Sequence, residues 1–321
     1  MQKTLLSGIK PTGELHIGNY FGAMRQFVDF QDKYRSFIFI ANYHALTSVA
    51  NSELLRKLSL EIAMDFLAIG LDPKKTTLFL QSDVPEVTEL AWIFNNITTV
   101  PYLMRAHAFK DAEAKNKEVN VGLFDYPILM AADILIYGSD VVPVGQDQKQ
   151  HVEIARDTAQ KFNRIFGNTF KVPEPIILDE VKTVIGTDGR KMSKSYGNGI
   201  GLFASDEEIK KAVMSIPTDS KSVNEPKDPT KCNVFAFHEL LGGKDLPELK
   251  KRYLSGTIGY KESKDILVER MKAFIGPMRK RREEIAKDPD AVLKILRDGG
   301  EVVRKEAKKM MKEVREKVGL I

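Results

Sequence analysis

Two lysines and two serines stand close together in one glycine-rich stretch. It reads GTDGRKMSKSYGN from Gly186 to Asn198 and is called the lysine loop below. A loop of this composition can move, and the ammonium groups of Lys191 and Lys194 could neutralise charge that develops on a leaving group. The usual alternative for such a stretch is a solvated basic turn. Taken alone, the lysine loop is therefore a weak indication of phosphate chemistry.

A second candidate phosphate site lies near the N-terminus, in SGIKPTGELHIGNY from Ser7 to Tyr20. The apolar residues Thr4 to Leu6 predict a buried strand before it, and helical spacing from Tyr20 to Asp32 predicts a helix after it. His16 and Asn19 are three residues apart, so both can face one side of the helix entrance. The free N–H groups of a helix start favour phosphate. Many glycine-rich strand–helix turns bind nothing, so this turn is also a weak indication by itself.

One carboxylate, Asp133, interrupts the otherwise apolar stretch YPILMAADILIY from Tyr126 to Tyr137. Tyr126, Met130 and Asp133 are spaced to project from one face of a helix. An apolar wall with a single acceptor suits an aromatic ligand that carries one N–H or O–H. A buried carboxylate needs a partner, however. From the residues alone, pairing with a Lys, Arg or Tyr inside the protein is the favoured interpretation.

The elements that must position these groups alternate between strand and helix. Strands are predicted at 4–6, 37–42, 76–80 and 141–144, with helices between them. This alternation predicts an α/β fold with a doubly wound parallel sheet, in which ligands lie beyond the carboxyl ends of the strands. Asn42, His44 and the pair Gln81-Ser82 follow strands and would lie at that edge with His16. After about Phe203 the pattern predicts only helices, at 206 onward and at 229–241, 246–254, 260–285, 289–297 and 300–318.

Composition sets the remaining limits. The chain has 321 residues, of which 43% are hydrophobic and 29% charged, as is typical of a soluble globular protein with room for two domains. It has no apolar run of about 18 residues, so no membrane span is expected. A single cysteine, Cys232, excludes an internal disulfide and favours a reducing cytoplasm.

Residues 205–321 carry 27 Lys and Arg against 21 Asp and Glu. This excess suggests an RNA partner about as well as it suggests a plain charged helical surface.

Together, the N-terminal turn and the lysine loop form a specific signal. His16-Ile-Gly-Asn19 and Lys191-Met-Ser-Lys-Ser195 resemble, in order and separation, the two signature motifs of the class I aminoacyl-tRNA synthetases. Tyr126-Pro-Ile-Leu-Met-Ala-Ala-Asp-Ile-Leu, followed by VPVGQDQKQH from Val142 to His151, resembles the bacterial tryptophanyl-tRNA synthetases. The likeness extends from Ser7 through Ser195 and more loosely to the C-terminus. It implies a Rossmann-type catalytic domain at 1–203, including the mobile lysine loop. It also implies an all-helical anticodon-binding domain at 204–321, whose last helix can pack back on the catalytic domain.

The resemblance implies a ligase that joins L-tryptophan to tRNA(Trp) with ATP and Mg²⁺, as a cytoplasmic homodimer. In that family the equivalent of Asp133 accepts the indole N–H, and Tyr126 and Gln148 hold the α-ammonium group. Tryptophan contacts are implied for Leu6, His44, Tyr126, Met130, Asp133, Ile134, Val142, Val144 and Gln148. ATP contacts are implied for Lys10, Pro11, Thr12, Gly18, Asn19, Gly145, Gln146, Asp147, Val184, Lys191, Met192, Ser193, Lys194 and Ser195. The groups expected to drive catalysis are His16, Asn19, Lys191, Lys194 and Ser195.

Some positions depart from the family pattern, and rival functions remain. Lys10 is often Gln in relatives, Gln146 is often Glu, and many relatives have a lysine where this chain has Ala112. The main alternative is tyrosyl-tRNA synthetase, whose helix usually carries Gln at the position of Met130. A nucleotidyltransferase of the same fold would not need the basic helical domain. An inactive binding module should have lost some of His16, Asn19, Lys194 or Asp133, yet all four are present.

Overall fold

A parallel sheet of five strands forms the centre of the first part of the chain. The computed structural model describes residues 2–11, 13–105, 109, 120–145, 149–177 and 184–321. The strands are β1 (Thr4–Ile9), β2 (Arg35–Ile40), β3 (Thr76–Leu80), β4 (Val141–Val144) and β5 (Glu174–Ile177). Their order across the sheet is β3-β2-β1-β4-β5, and every pairing is parallel. This order reverses direction at β1, as in doubly wound folds, so the predicted fold class is confirmed.

Helices connect the strands and continue to the C-terminus. Within the described residues, the helices that precede the lysine loop are α1 (Ile17–Asn19), α2 (Arg25–Phe30), α3 (Asn42–Ala45), α4 (Ser52–Ala68), α5 (Glu86–Asn95), α6 (Val100–Leu103), α7 (Val121–Ile136) and α8 (Lys149–Phe166). The last five are α9 (Asp206–Met214), α10 (Asn233–Leu241), α11 (Leu246–Leu254), α12 (Tyr260–Ile285) and α13 (Pro289–Val318). Within the described ranges, no helix combines the length and apolar character needed to cross a bilayer.

The chain divides into two compact units. Unit 1 comprises residues 1–13, 26–179 and 288–321, and unit 2 comprises 14–25 and 180–287. The predicted boundary at 203/204 does not coincide with this division. The first-motif segment and the lysine loop group with the helices, and the last helix groups with the sheet. Each unit is described separately below.

Unit 1 is held together by a core that covers the sheet. Leu6, Phe37, Phe79 and Ile134 are at most 2% exposed and belong to one hydrophobic cluster. Val303, Ala307, Met311 and Val314 of α13 join the same cluster. Parallel strands buried on both faces need such continuous apolar runs, which explains why β1 and β2 were recognisable from the sequence.

Helix α13 corrects one prediction. The sequence predicts two helices here, 289–297 and 300–318. The structure has one continuous helix, Pro289–Val318. A Cβ at Gly299 would collide with the carbonyl oxygen of Leu78 on β3. The glycine therefore allows the helix backbone to approach the strand closely, and this tertiary packing outweighs its poor helix propensity.

The N-terminal turn is also built differently from its prediction. Strand β1 continues to Ile9 rather than ending at Leu6, since Ser7, Gly8 and Ile9 pair with Ile38, Phe39 and Ile40 of β2. The single helix predicted from Tyr20 to Asp32 is instead a π-helical turn, Tyr20–Met24, followed by α2. In unit 2, the ring of Phe21 in this turn stacks on Phe274 of α12, with centroids 5.3 Å apart.

Candidate functional site

The first motif, His16–Asn19, forms a reciprocal cap in unit 2. His16 is the N-cap of α1, and its Nδ1 accepts a hydrogen bond from the main-chain N–H of Asn19 at 3.2 Å. In return, the Oδ1 of Asn19 accepts from the main-chain N–H of His16 at 3.0 Å. Because Nδ1 is an acceptor here, a neutral His16 ring carries its proton on Nε2. Two side chains predicted to act together are thus locked by each other, and Nε2–H is a donor available for chemistry.

Main-chain bonds bring the lysine loop to this motif. The N–H of Ile17 donates to the carbonyl of Ile200 at 2.9 Å, and the N–H of Leu202 donates to the carbonyl of Leu15 at 2.9 Å. His16 and Gly201 form an antiparallel bridge between these bonds. The two signature motifs are therefore neighbours in one unit, as the resemblance implied, although about 175 residues separate them in the chain.

The imidazole of His16 also packs closely on both sides. A Cβ at Gly18 would lie 2.9 Å from Nδ1 of His16 and 3.1 Å from the sulfur of Met192. A Cβ at Gly199 would lie 3.1 Å from the Cβ of His16. Side chains at these two positions would displace the ring, so glycine is required there by space rather than by backbone conformation.

Electrostatics keep this ring neutral. Burial, followed by the nearby ammonium of Lys194, lowers the pKa of His16 below its ordinary value. At neutral pH the ring is therefore an uncharged donor rather than an imidazolium. Lys194 supplies the positive charge beside it, and its side chain is exposed, like those of Lys191 and Ser195.

The lysine loop is shaped by Asn198, whose side chain is 2% exposed. Its Nδ2 donates to Asp188 Oδ1 at 2.7 Å and to the carbonyl of Lys191 at 3.1 Å. Its Oδ1 accepts from the N–H of Ser193 at 2.8 Å. The Asn198 side chain therefore forms hydrogen bonds with the loop at Lys191 and at one residue on each side of it.

The base of the loop is closed by a short hairpin. The N–H of Met192 donates to the carbonyl of Val184 at 2.9 Å, and the N–H of Gly186 donates to the carbonyl of Arg190 at 2.7 Å. Val184 and Met192 are buried, at 8% and 5% exposure. Ser193 caps the turn Lys194–Tyr196, because its hydroxyl accepts from the N–H of Ser195. The predicted phosphate-binding lysines therefore belong to a hydrogen-bonded hairpin and a capped turn.

In unit 1, Asp133 lies on α7 at 4% exposure. Its Oδ2 accepts a hydrogen bond from Nε2 of Gln81 at 2.7 Å. Within the described ranges no cation pairs with this carboxylate, so its partner is an amide rather than the Lys, Arg or Tyr favoured from the residues alone. Burial raises the pKa of Asp133 well above its ordinary value, and the bond from Gln81 opposes that rise.

Tyr126 of the same helix contacts two histidine rings. The ring of His44 meets that of Tyr126 edge-on with centroids 4.7 Å apart, and the hydroxyl of Tyr126 shares a 2.6 Å hydrogen bond with Nε2 of His151. Burial, assisted by the charge of Lys10 and by His151, lowers the pKa of His44 to about 4. His44 is consequently neutral under ordinary conditions. The ammonium of Lys10 donates to Thr47 Oγ1 at 2.9 Å, so in this structure it is held by the protein.

The apolar residues implied for tryptophan also meet in unit 1. Leu6, Ile134, Val142 and Val144 are buried members of one hydrophobic cluster, and Met130 packs against it. Pro11 is buried, whereas Gly145, just after β4, is exposed. Four implied contacts lie outside the described residues: Thr12, Gln146, Asp147 and Gln148. Ala112, discussed above for its missing lysine, also lies outside them.

An open cleft of about 460 Å³ lies beside Tyr126 in unit 1. Tyr126 is the residue that it shares with the implied tryptophan contacts. Its other lining residues include Tyr43, Leu46, Trp92 and Leu129. Among the described residues, no group of three or more His, Cys, Asp or Glu side chains could hold a metal ion.

Sequence reasoning missed the roles of two residues. Gln81 was placed at the correct edge of the sheet but given no function, and Asn198 was quoted only as the end of the lysine loop. The available signal was weak in both cases: an amide directly after a buried strand, and an amide closing a glycine-rich loop. Their partners lie 52 residues away for Gln81 and up to 10 residues away for Asn198, so the contacts could not be seen in local spacing.

Comparisons with known proteins agree with this arrangement. The sequence model for the family described as tRNA synthetases class I (W and Y) matches residues 2–276. The tryptophan–tRNA ligase of Fusobacterium nucleatum is 51% identical over 321 residues, which cover 99% of this chain and 98% of that protein. The tryptophan–tRNA ligase of Rhodopirellula baltica is 46% identical over 317 residues, covering 98% and 99%.

The same family appears among solved structures. The crystal structure of tryptophanyl-tRNA synthetase from Campylobacter jejuni, complexed with ADP and tryptophan, superimposes with a TM-score of 0.93. It shares 46% identity and covers 98% of this chain and 99% of that chain. The likeness thus extends over nearly the whole length, well beyond the two short motifs. This chain belongs to the family of class I tRNA synthetases for tryptophan and tyrosine.

Proposed function

We propose that this protein is a tryptophan–tRNA ligase, which activates L-tryptophan with ATP and transfers it to tRNA(Trp). The observation that carries the choice of amino acid is Asp133, a buried carboxylate held by a neutral amide among apolar side chains. A hydrogen bond to a charged acceptor contributes about 1.5–3 kcal/mol. Phenylalanine lacks the N–H, so it would leave one oxygen of the Asp133 carboxylate desolvated without the hydrogen bond from the ligand, and such sites reject the bare analogue strongly.

Tyrosine is the alternative, and two observations favour tryptophan over it. The relatives at 46–51% identity carry the name tryptophan–tRNA ligase. In addition, Met130 packs against the hydrophobic cluster one helical turn from Asp133, where the tyrosine enzymes usually carry Gln. An apolar side chain there suits the wide face of an indole better than a phenol that needs a second polar partner.

In the first reaction step, a carboxylate oxygen of tryptophan attacks the α-phosphorus of ATP. The bond between the α-phosphorus and the oxygen that bridges the α- and β-phosphates breaks. Pyrophosphate leaves with the bonding electron pair and carries the negative charge. Mg²⁺ usually binds nucleotides through their phosphates, so the Mg²⁺–ATP complex is treated as the substrate. Such phosphoryl chemistry depends on positioning and on stabilising spread negative charge, without an acid–base pair in the protein.

The first motif and the lysine loop are suited to that task. His16 offers a neutral Nε2–H donor, because its Nδ1 is occupied by Asn19. Lys191 and Lys194 are exposed residues of the lysine loop. A preorganised donor aimed at developing charge lowers the barrier more than it tightens substrate binding. His16, Lys191 and Lys194 therefore act on the departing pyrophosphate, while Asn19 and Ser195 orient the groups around them.

In the second step, the terminal hydroxyl of tRNA(Trp) attacks the adenylate carbonyl and releases AMP. The helices of unit 2 are the proposed anticodon-binding region, because the basic excess of the chain lies in its last third. The cluster Arg279–Arg282 is less suited to RNA contact than its charge suggests. Arg279 is occupied by the carbonyl of Ala204 and by Asp206.

Unit 1 has a surface suited to self-association, and we place a homodimer contact there. Trp92 and Leu46 both line the open cleft and are 70% and 59% exposed. Large apolar side chains gathered on one surface mark contact sites more often than they occur by chance. The enzyme would act in the cytoplasm, where tRNA charging supplies protein synthesis.

The decisive experiment is ATP–pyrophosphate exchange measured with each of the twenty amino acids. Exchange that depends on tryptophan, followed by charging of tRNA(Trp), is the expected result. Exchange with tyrosine would select the alternative, and no exchange with any amino acid would favour a binding module. Sedimentation of the wild-type protein and of Trp92→Glu tests the homodimer separately, because a charge on the proposed contact should give monomers.

A further inference from the structure

One buried amide joins two walls of the tryptophan site. Gln81 opens the short 3-10 turn Gln81–Asp83 at the end of β3 and is 1% exposed. Its Nε2 donates to Oδ2 of Asp133 at 2.7 Å, and its Oε1 accepts from the main-chain N–H of His44 at 3.1 Å. The side chain therefore spans from α3 to α7, and both of its ends are occupied.

The orientation of this amide follows from its partners. A flipped amide would put its oxygen against the carboxylate of Asp133 and its NH₂ group against the N–H of His44, which leaves both contacts repulsive. Only the observed orientation lets Gln81 donate to Asp133. The contact is therefore directional, and it fixes one oxygen of the carboxylate in space.

We propose that Gln81 is a positioning residue that determines specificity for tryptophan. It holds the Asp133 carboxylate in the orientation that accepts the indole N–H, and it ties that acceptor to the segment carrying His44. The inference rests on the proposed function and deepens it. An acceptor without this anchor would rotate within the apolar wall or take up a proton, and in either case it would discriminate less well.

A neighbouring pair provides the control. Nδ2 of Asn42 donates to Oγ of Ser82 at 2.7 Å, and the N–H of Ser82 donates to Oδ1 of Asn42 at 3.0 Å. These bonds join the ends of β2 and β3, as the bond from Gln81 to His44 does, but they do not reach Asp133. Loss of Ser82 thus tests general loosening of this edge, whereas loss of Gln81 tests the acceptor itself.

The experiment compares tryptophan with β-(3-benzothienyl)alanine, in which sulfur replaces the indole N–H. The ratio of their kcat/KM values in ATP–pyrophosphate exchange measures recognition of the N–H alone. Gln81→Met keeps the volume but removes the amide, and Gln81→Glu keeps the shape but places an acceptor against Asp133. Both should lower the ratio about 10- to 100-fold. Most of that loss should appear in KM for tryptophan, with KM for ATP unchanged.

Ser82→Ala should keep the ratio within about twofold of the wild type. Adding Gln81→Met to Asp133→Ala should change the ratio no further, because Gln81 acts through Asp133. The inference is overturned if both Gln81 variants keep the wild-type ratio, or if Ser82→Ala lowers the ratio equally. Absence of tryptophan-dependent exchange in the wild type would remove the proposed function and this inference together, whereas the other two results remove the inference alone.

Discussion

Replacing Asn198 with alanine should disable the lysine loop while leaving its lysines in place. The substitution removes three hydrogen bonds, to Asp188, Lys191 and Ser193, from a side chain that is 2% exposed. None of these partners is assigned to tryptophan. The ordered form of the loop should therefore become less populated, whereas tryptophan binding should not change.

The size of the effect follows from those bonds. A typical intramolecular hydrogen bond contributes about 0.5–1.5 kcal/mol net, so three contribute about 1.5–4.5 kcal/mol. Since about 1.4 kcal/mol corresponds to a factor of ten, the ordered loop should lose about 10- to 1000-fold in relative population. If pyrophosphate departure requires the ordered loop, single-turnover adenylate formation should slow within that range.

The assay is rapid quenching of adenylate formation with enzyme in excess over ATP, beside a direct measurement of tryptophan affinity. Arg190→Ala is the matched control in the same loop. It removes a largely exposed ion pair with Asp188 and the contact of the guanidinium with the Tyr196 ring at 4.3 Å. An exposed ion pair is worth about 0–1 kcal/mol and an exposed cation–π contact about 0.5–1 kcal/mol, so the control should lose at most about 30-fold. A wild-type rate in Asn198→Ala, or equal losses in the two variants, would contradict the reasoning.

Three further outcomes are expected. Lys194→Ala should slow adenylate formation by about 100-fold or more without weakening tryptophan binding, because the ammonium group of Lys194 acts on the leaving pyrophosphate. An unchanged single-turnover rate of adenylate formation would exclude that role. Tryptophan affinity, followed by calorimetry from about pH 8 to about pH 5, should fall on acidification, since a protonated Asp133 is uncharged and therefore a weaker acceptor for the indole N–H. Burial raises the pKa of Asp133, so the fall should begin at a higher pH than for an ordinary aspartate, and Asp133→Asn should show no such fall. Gly299→Ala should lower the free energy of unfolding by about 1–3 kcal/mol, because its Cβ meets the carbonyl of Leu78. A Cβ at Gly276 of α12 would meet open space, so Gly276→Ala should raise the free energy of unfolding by about 0.5–1 kcal/mol. If urea unfolding showed that the two substitutions shift this free energy in the same direction, the account would be refuted.

The sheet could be predicted because its signal is local. The strands β2, β3 and β4 are short apolar runs bounded by polar residues, and their alternation with helices restricts the topology to few choices. The start of the helix predicted from residue 206 is equally local, because Ser205 and Glu208 form a capping box three residues apart. Such patterns need no knowledge of distant residues.

The candidate site was predicted less completely, because its contacts are long-range. Nothing in the spacing of His16 or Lys194 places them together; the resemblance supplied that expectation, and main-chain bonds around Ile200 account for it. Gln81 finds Asp133 across 52 residues. The continuity of α13 through Gly299 was mispredicted for the same reason, since a propensity rule cannot anticipate a strand that needs a helix at close range.

The pairing of Leu15–Ile17 with Ile200–Leu202 makes the short run from Ser195 to Gly199 a spacer of fixed length. Deleting one residue there would shift every downstream partner, and each residue of extended chain spans about 3.3 Å. The ammonium of Lys194 would then miss its place beside His16 by about the length of a hydrogen bond. Selection should therefore tolerate altered side chains in this run more readily than a gained or lost residue, and indels should be rarer here than in ordinary surface loops.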